Sequence, residues 1–569
     1  MHTPPVLSAR AAAQLIGDNS VISISSSSAL GCPDLALEGI GARFAETGHP
    51  RNVHVYSPIA AGDMYGVIGI DHLALPGLIE RIVAGSYPSG PSSAPPPAIW
   101  SMIEADQLQA YNLPSGVLYQ MHRAGAAAQP GVFSQVGLGT FVDPRLDGGR
   151  MNDAAAEQIV TVAEVAGQEW LHYPAVRPDV AVIRATTADE NGNLTFEEEG
   201  STLGALDLAY AAHNNGGLVI AQVKRLAAAG FLRAQDVRVP GILVDALVLD
   251  PRQLQTTGTA YDPALSGQLR QPLSMVEPVP WSLEKVIARR AAAELRDGDI
   301  VNLGFGVAAL VPRILVEQGQ ANTVSWLLEQ GAVGGVPLTG FAFGCSLNAS
   351  ALMSSADQFT LLQGGGFDHA MLSFLQIDRE GNVNVHHLPG RRHVTAGVGG
   401  FADITSRAKS IVFIGAFNAG RRDIAVRDGA LDIRADGSVG KIVDQVSAVT
   451  FSGRRARQQG QRVRYITERC VLDLGDEGLI LTEIAPGVDP QRDVLAHIPF
   501  EIAVAPGLTV MDATLFTDSA GSPAPEPSPA RVPAGAVNGT GGARVLHQAR
   551  PVGARPSPPL TPRIDRSSM

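Results

Sequence analysis

Glu329 is the first residue whose type and setting could do covalent chemistry. It follows the apolar run TVSWLL and opens the segment EQGAVGGVP. A carboxylate at the carboxyl end of a buried parallel strand stands where open α/β sheets hold their ligands. The glycines around it let another chain or a substrate come close. The competing reading is an acid in a surface turn, and position alone does not separate the two. Glycine loops recur nearby. NLGFG, Asn302 to Gly306, lacks the third glycine of a dinucleotide fingerprint and the acid that would hold a ribose. Gly304 and Gly306 could still bring backbone N–H groups to an anionic or carbonyl oxygen, or form a simple strand-to-helix turn. Gly364-Gly365-Gly366 precedes Phe367-Asp368, and Gly397 with Gly399-Gly400 precedes Phe401 and Asp403. Such loops could build an oxyanion hole for a thioester carbonyl, and each reads equally well as a plain turn.

Other chemistries find less support. No G-x-S-x-G elbow with a usable His and Asp order is present, and no GxxxxGK[ST] loop. His386, His387 and His393 lack regular spacing and a carboxylate partner on the same element, so they read as loop histidines. Nothing near Cys345 in FGCSLN would lower its thiol pKa, and it reads as a small packed residue. Cys32, Cys345 and Cys470 lie far apart and form no CxxC pair, which supports neither a disulfide framework nor a zinc site. A reducing cytoplasm fits them.

The elements that must position these loops form an approximate internal repeat. LIGDNSVISIS, a helix-like DLALEGIGARFAE and the apolar NVHVYS are matched later by LRDGDIVNLGFG, AALVPRILVEQG and TVSWLLEQG. DVAVIRATTADENGNLTF is matched by HAMLSFLQIDREGNVNV, and GGLVIAQVK by KSIVFIGAF. Strands alternating with helices predict βαβ units, and so an α/β fold of two related, open, mostly parallel domains. The comparable strand of the first half ends in Ser57-Pro58 instead of a carboxylate. The Pro/Gln/Thr/Ser-rich stretch from Pro251 to Pro280 separates the halves, giving domains 1–260 and 283–518 with a linker over 261–282. Ser282 is a plausible N-cap with Glu284 in the first turn of a new helix. From Ser519 onward, Pro, Ala, Gly and Ser dominate; such a segment cannot offset its ordering entropy by burial, and 519–569 is expected to be a disordered tail.

At 569 residues the chain is too long for one core, and 45% hydrophobic with 17% charged residues is ordinary for a soluble enzyme. The net charge of −12 is spread out with no Lys/Arg cluster, which argues against nucleic acid. No apolar run reaches the ~20 residues that span a bilayer, and the N-terminus carries no signal-peptide pattern. No membrane association is expected.

Taken together, AYNLPSGVLYQMHRAGAAAQPGV, GLGTFVDPR, IVNLGFG, LLEQGAVGGVP, QGGGFD, GNVNV, TAGVGGFADIT, YITERCVLDL and EIAPGVDPQRDVL occur in an order that resembles family I coenzyme A transferases of the single-chain acetate/3-ketoacid type. The resemblance runs to about Phe516. It implies CoA transfer between an acyl-CoA and a carboxylic acid, with Glu329 as nucleophile and a covalent glutamyl-CoA thioester. It further implies that Gly399 and Gly400 supply backbone donors at the thioester. Gly304, Gly306, Asn348, Gly365, Gly366, Asp368 and Phe401 would hold coenzyme A. CoA would be a substrate, with no metal and no nucleotide cofactor, and relatives self-associate as homo-oligomers (dimer or tetramer). Two blocks depart from the pattern. Ser115 in NLPSG stands where relatives carry Gln at the thioester, and a hydroxyl offers one donor in place of an amide's donor and acceptor. Gly85-Ser86-Tyr87 also replaces a bulkier, His-containing segment. An acyl-CoA hydrolase on the same scaffold and a non-catalytic CoA-ester sensor are the alternatives.

Overall fold

The computed structural model describes residues 3–89, 96–390 and 397–518. The expected tail from Ser519 and the loop residue His393 lie outside the described residues. Two large sheets carry the chain. The first is built from β1 (Val6–Leu7), β2 (Val21–Ile24), β3 (Val53–Ser57), β4 (Ile79–Ala84), β5 (Gln109–Asn112), β6 (Val180–Asp189), β7 (Leu218–Ala227) and β8 (Ala246–Leu249). Their spatial order is β1-β8-β7-β6-β2-β3-β4-β5, with every neighbouring pair parallel. All ten residues of β6 are buried, as a strand covered on both faces requires, and its run VAVIRATTAD is mostly apolar or small, with the buried Arg184 paired to Glu199.

The second sheet contains β9 (Ile300–Leu303), β10 (Ser325–Leu327), β11 (His369–Ser373), β12 (Ser410–Ile414), β13 (Arg462–Ile466), β14 (Cys470–Leu474), β15 (Leu479–Ile484) and β16 (Ala503–Val510). Its core order, β10-β9-β11-β12-β13, is parallel throughout. β14 and β15 then extend it as an antiparallel meander. This core repeats the β3-β2-β6-β7-β8 order of the first sheet, strand for strand. The repeat extends to individual hydrogen bonds. Asp189 Oδ1 accepts the N–H groups of Asn191 and Asn193, and Asp378 Oδ1 accepts those of Glu380 and Asn382. Asn193 then accepts the Gly241 N–H at 2.9 Å, and Asn382 accepts the Gly453 N–H at 2.9 Å. A Cβ on Gly241 would lie 2.0 Å from the Asn191 carbonyl, and one on Gly453 2.1 Å from that of Glu380. Only glycine fits at either place.

Four helices matter for the site: α1 (Ser115–Ala126), α2 (Leu283–Ala292), α3 (Ser355–Gln363) and α4 (Phe401–Thr405). α2 starts where its sequence predicts, with Ser282 Oγ accepting the Lys285 N–H at 3.2 Å and Glu284 in the first turn. Between Pro251 and Pro280 there is neither strand nor α-helix, only the short 3-10 turn Leu273–Met275. One buried apolar cluster draws on both halves, from Ile59 to Phe516, while a second is confined to the first half. The two halves are therefore packed together through a common core. No helix among the described residues is long and apolar enough to cross a membrane.

Candidate active site

Glu329 falls two residues beyond β10, at the carboxyl end of a parallel strand. The chain reverses there. Leu328 N donates to Ala332 O at 2.9 Å and Gly331 N to Leu328 O at 2.9 Å, so residues 332–333 pair antiparallel with β10. The turn is anchored from both halves. Ser201 donates its hydroxyl to Gln330 O, Ser355 Oγ donates to the same oxygen at 3.2 Å, and Gln330 Nε2 reaches Ser27 Oγ at 3.4 Å. Gln330 Nε2 also donates to Glu329 Oε1 at 3.2 Å. Ser27 and Ser201 belong to the first half, so the carboxylate is held at the seam between the halves.

The opposite wall is the Gly397–Gly400 loop, and the first half holds it in place. Asn112, the last residue of β5, donates to Ala84 O and Gly85 O at 2.8 and 2.6 Å, and its Oδ1 accepts the Val398 N–H at 3.0 Å. Gly399 N donates to Gly85 O at 2.6 Å, and Ser115 N donates to Gly399 O at 3.0 Å. The loop so clamped brings Gly400 against the Glu329 carboxylate, its N–H near enough to favour the ionised form. The approach leaves no room for a side chain, because a Cβ on Gly400 would lie 2.2 Å from Glu329 Oε2.

Burial pushes the Glu329 carboxyl up to about 7, and the Gly400 N–H and the Gln330 amide offset this only in part. Asp403, one turn along α4, is likewise pushed up to about 7 by burial, with the Glu329 charge adding to the rise. Withdrawing water from a carboxylate raises its basicity, and with it its capacity to attack a carbonyl.

The predicted site residues divide into three groups. Glu329 and Gly400 are in contact, and Gly304 and Gly306 follow β9 on the same carboxyl edge, beside β10. Gly399 and Ser115 border the site, but their polar groups are committed or sealed. The Gly399 N–H is taken by Gly85 O, so it is not a free oxyanion donor. The Ser115 hydroxyl is buried with no hydrogen-bond partner among the described residues, and a Cβ on Gly85 would lie 2.2 Å from it. It is a packing group beneath the loop, a correction to its expected place at the thioester.

The rest do not converge on Glu329. Gly365, Gly366 and Asp368 precede β11 and therefore lie at the amino edge of the sheet, the reverse of the Glu329 edge. Asp368 there bonds Lys409 at 2.7 Å and the Ile300 N–H at 2.9 Å. Both ends of the Asn348 amide are used on Gln271 in the inter-half stretch, at 2.8 Å each. Phe401 is buried and stacks on Phe413 with centroids 6.0 Å apart. Cys345 is buried, with its thiol pushed up to about 12, as a packed residue should be. His386 is half-buried against Phe141 and bonded to Thr450. Among the described residues no cluster of His, Cys, Asp and Glu could hold a metal ion. Sequence reasoning did not assign roles to Asn112, Gln330, Gln363 or Asp403. The one available signal was a polar residue closing an apolar strand, as Asn112 closes QAYN.

Comparison with known proteins agrees with this geometry. Residues 7–250 match the family model described as Coenzyme A transferase. The chain is 40% identical over 517 residues to the caffeate CoA-transferase of Acetobacterium woodii, covering 90% of this chain and 97% of that protein. It is 39% identical over 523 residues to the acetate CoA-transferase YdiF of Escherichia coli K12, covering 91% and 96%. The crystal structure of the acyl-CoA transferase YdiF apoenzyme from E. coli O157:H7 superposes with a TM-score of 0.85 at 38% identity, over 91% of this chain and 97% of that one. A thioester complex of the same E. coli enzyme with CoA gives 0.84 at 37% identity. With relatives this similar along nine-tenths of its length, the chain belongs to the coenzyme A transferase family and is a CoA-transferase.

Proposed function

We propose that Glu329 is the covalent nucleophile of a ping-pong transfer of CoA between carboxylic acids. Its carboxylate attacks the thioester carbonyl of a donor acyl-CoA; a C–O bond forms, the C–S bond breaks, and CoA leaves as the thiolate. The thiolate then attacks the glutamyl carbonyl of the resulting anhydride, expelling the donor acid as its carboxylate and leaving a glutamyl-CoA thioester. An acceptor carboxylate reverses the two steps. The activated bond is retained throughout, so no ATP is consumed. Binding of the remote part of CoA, positioning and exclusion of water must supply much of the rate, since both intermediates hydrolyse readily.

The observation that carries this reading is the Glu329 carboxylate itself, half-buried at the seam on the carboxyl edge and closely approached by Gly400. The existence of a relative solved as a thioester complex with CoA supports the covalent route. A relative named for acetate and more distant ones named for 3-ketoacids support short-chain acids or 3-ketoacids as donors and acceptors, while one named for caffeate extends the range to an aromatic acid. We assign the halves to 1–260 and 283–518, joined over 261–282. Three buried cysteines without disulfide partners fit a cytoplasmic enzyme, and self-association is expected of it.

The test is chemical trapping. The protein is incubated with acyl-CoA and no acceptor, treated with hydroxylamine or borohydride, and digested. The peptide containing Glu329 should carry the modification. An unmodified peptide with no turnover of any acyl-CoA would point instead to a sensor, and acceptor-independent CoA release to a hydrolase. The rate of acylation should also rise with pH and reach half its plateau near pH 7, because only the ionised form of Glu329 attacks. A rate that falls between pH 6 and 8 contradicts the assignment.

A further inference from the structure

Asp403 is a fully buried carboxyl group that the transfer chemistry does not consume. It lies three residues after Gly400, the residue that caps α4. Its Oδ2 accepts the Gly116 N–H at 3.0 Å, in the first turn of α1. Its Oδ1 accepts the amide of Gln363, the last residue of α3, at 2.7 Å. The Val117 N–H also serves it. The amino end of a three-turn helix such as α1 favours a negative charge. The fit is close: a Cβ on Gly116 would lie 2.7 Å from Asp403 Oδ1. One carboxyl group thus ties together three elements around Glu329. α1 follows the Asn112 clamp. α3 places Ser355 on Gln330 O and Phe359 against Gly400. α4 is capped by Gly400, which stands against the nucleophile's carboxylate.

We propose that Asp403 is a positioning residue for the transfer reaction, locking the Gly399–Gly400 turn to α1 and α3 so that the Gly400 N–H stays on the Glu329 carboxylate. The proposal rests on Glu329 being the nucleophile. Among the described residues the turn is otherwise fastened to the first half through Gly397, Val398 and Gly399, none of which holds Gly400 itself, so loss of this tie frees the Gly400 N–H to swing away from the carboxylate.

Burial, with the Glu329 charge adding to it, raises the proton affinity of Asp403, whereas Glu329 is shifted by its own burial, offset in part by the Gly400 N–H and Gln330. The other titratable groups facing them are Tyr173, which feels Asp403, and Tyr119, which feels Glu329. Burial holds both phenols far above their usual value, so neither changes charge near neutrality.

The experiment compares the parent with Asp403→Asn and Gln363→Leu in the full chain. It reads kcat, KM for acyl-CoA, Tm and hydroxylamine labelling of the Glu329 peptide. Asp403→Asn should lower kcat ~30-fold with KM changed less than about threefold, in line with small misplacements of reacting groups. Gln363→Leu should lower kcat about fivefold with KM likewise held. An Asp403→Asn protein that loses only Tm, with parental kcat, overturns the proposal. If that variant does not fold, parental kcat in Gln363→Leu overturns it. Failure of the nucleophile assignment is visible separately, as a parent protein that carries no label on Glu329.

Discussion

Glu329→Gln should abolish CoA transfer, lowering kcat by on the order of 10⁴-fold or more, as removal of a covalent nucleophile does elsewhere. The substitution is isosteric. Its amide oxygen can still accept the Gly400 N–H, so the clamped loop and acyl-CoA binding should persist while the attacking charge is gone. The assay is transfer between an acyl-CoA and a free acid, with labelling of the Glu329 peptide as a second readout. A near-parental rate would remove Glu329 from the mechanism. The same variant should be more stable than the parent at alkaline pH. The folded carboxyl is pushed from the usual 4.5 up to about 7. Between those values the folded chain keeps a proton that the unfolded chain has lost, so parental stability declines as pH rises through this window. Above about pH 7 the ionised carboxylate costs the fold on the order of 3 kcal/mol, a cost the amide does not incur. Urea unfolding at pH 8 should therefore favour Glu329→Gln, and the advantage should vanish by about pH 4.5. An advantage that instead grows toward acid would contradict the burial-driven shift.

Gly400→Ala should lower kcat by ~10²-fold or more while leaving KM for acyl-CoA within a few-fold. The backbone of Gly400 does not demand glycine: φ is −85° and ψ is 3°, which any L-residue can adopt. Space does. The added methyl would stand 2.2 Å from Glu329 Oε2 and 2.5 Å from the Phe359 ring, so the carboxylate must be displaced from its donor. Steady-state kinetics and a thermal melt separate the two consequences. Large loss of kcat with a modest fall in Tm is expected. Parental kcat would mean that contact between the nucleophile and the glycine loop is dispensable.

Much of this architecture is legible in the sequence because it rests on local patterns. The apolar strands and the Asp-x-x-Gly-Asn turns recur in order, and the two parallel cores follow them strand for strand. Position after an apolar strand among glycines leaves Glu329 open to a surface-turn reading, and the ordered family blocks single it out. The misassignment of Gly365, Gly366 and Asp368 also had a local remedy. They precede a parallel strand, and residues that precede such a strand lie at the amino edge of the sheet, away from ligands. Asn348 and Ser115 had none: the first is captured by Gln271 and the second is sealed beneath Gly85.

By itself, then, the sequence determined the two α/β halves and the carboxylate best placed for chemistry, since strand, turn and cap preferences act over a few residues. Only the tertiary structure decided what meets that carboxylate. Asn112 holds Val398 across 286 positions, and Asp403 holds Gly116 across 287. Such contacts depend on how the two carboxyl edges face each other, which no local preference encodes. The raised proton affinity of Glu329 is likewise a property of the closed seam, because it comes from the water that assembly excludes.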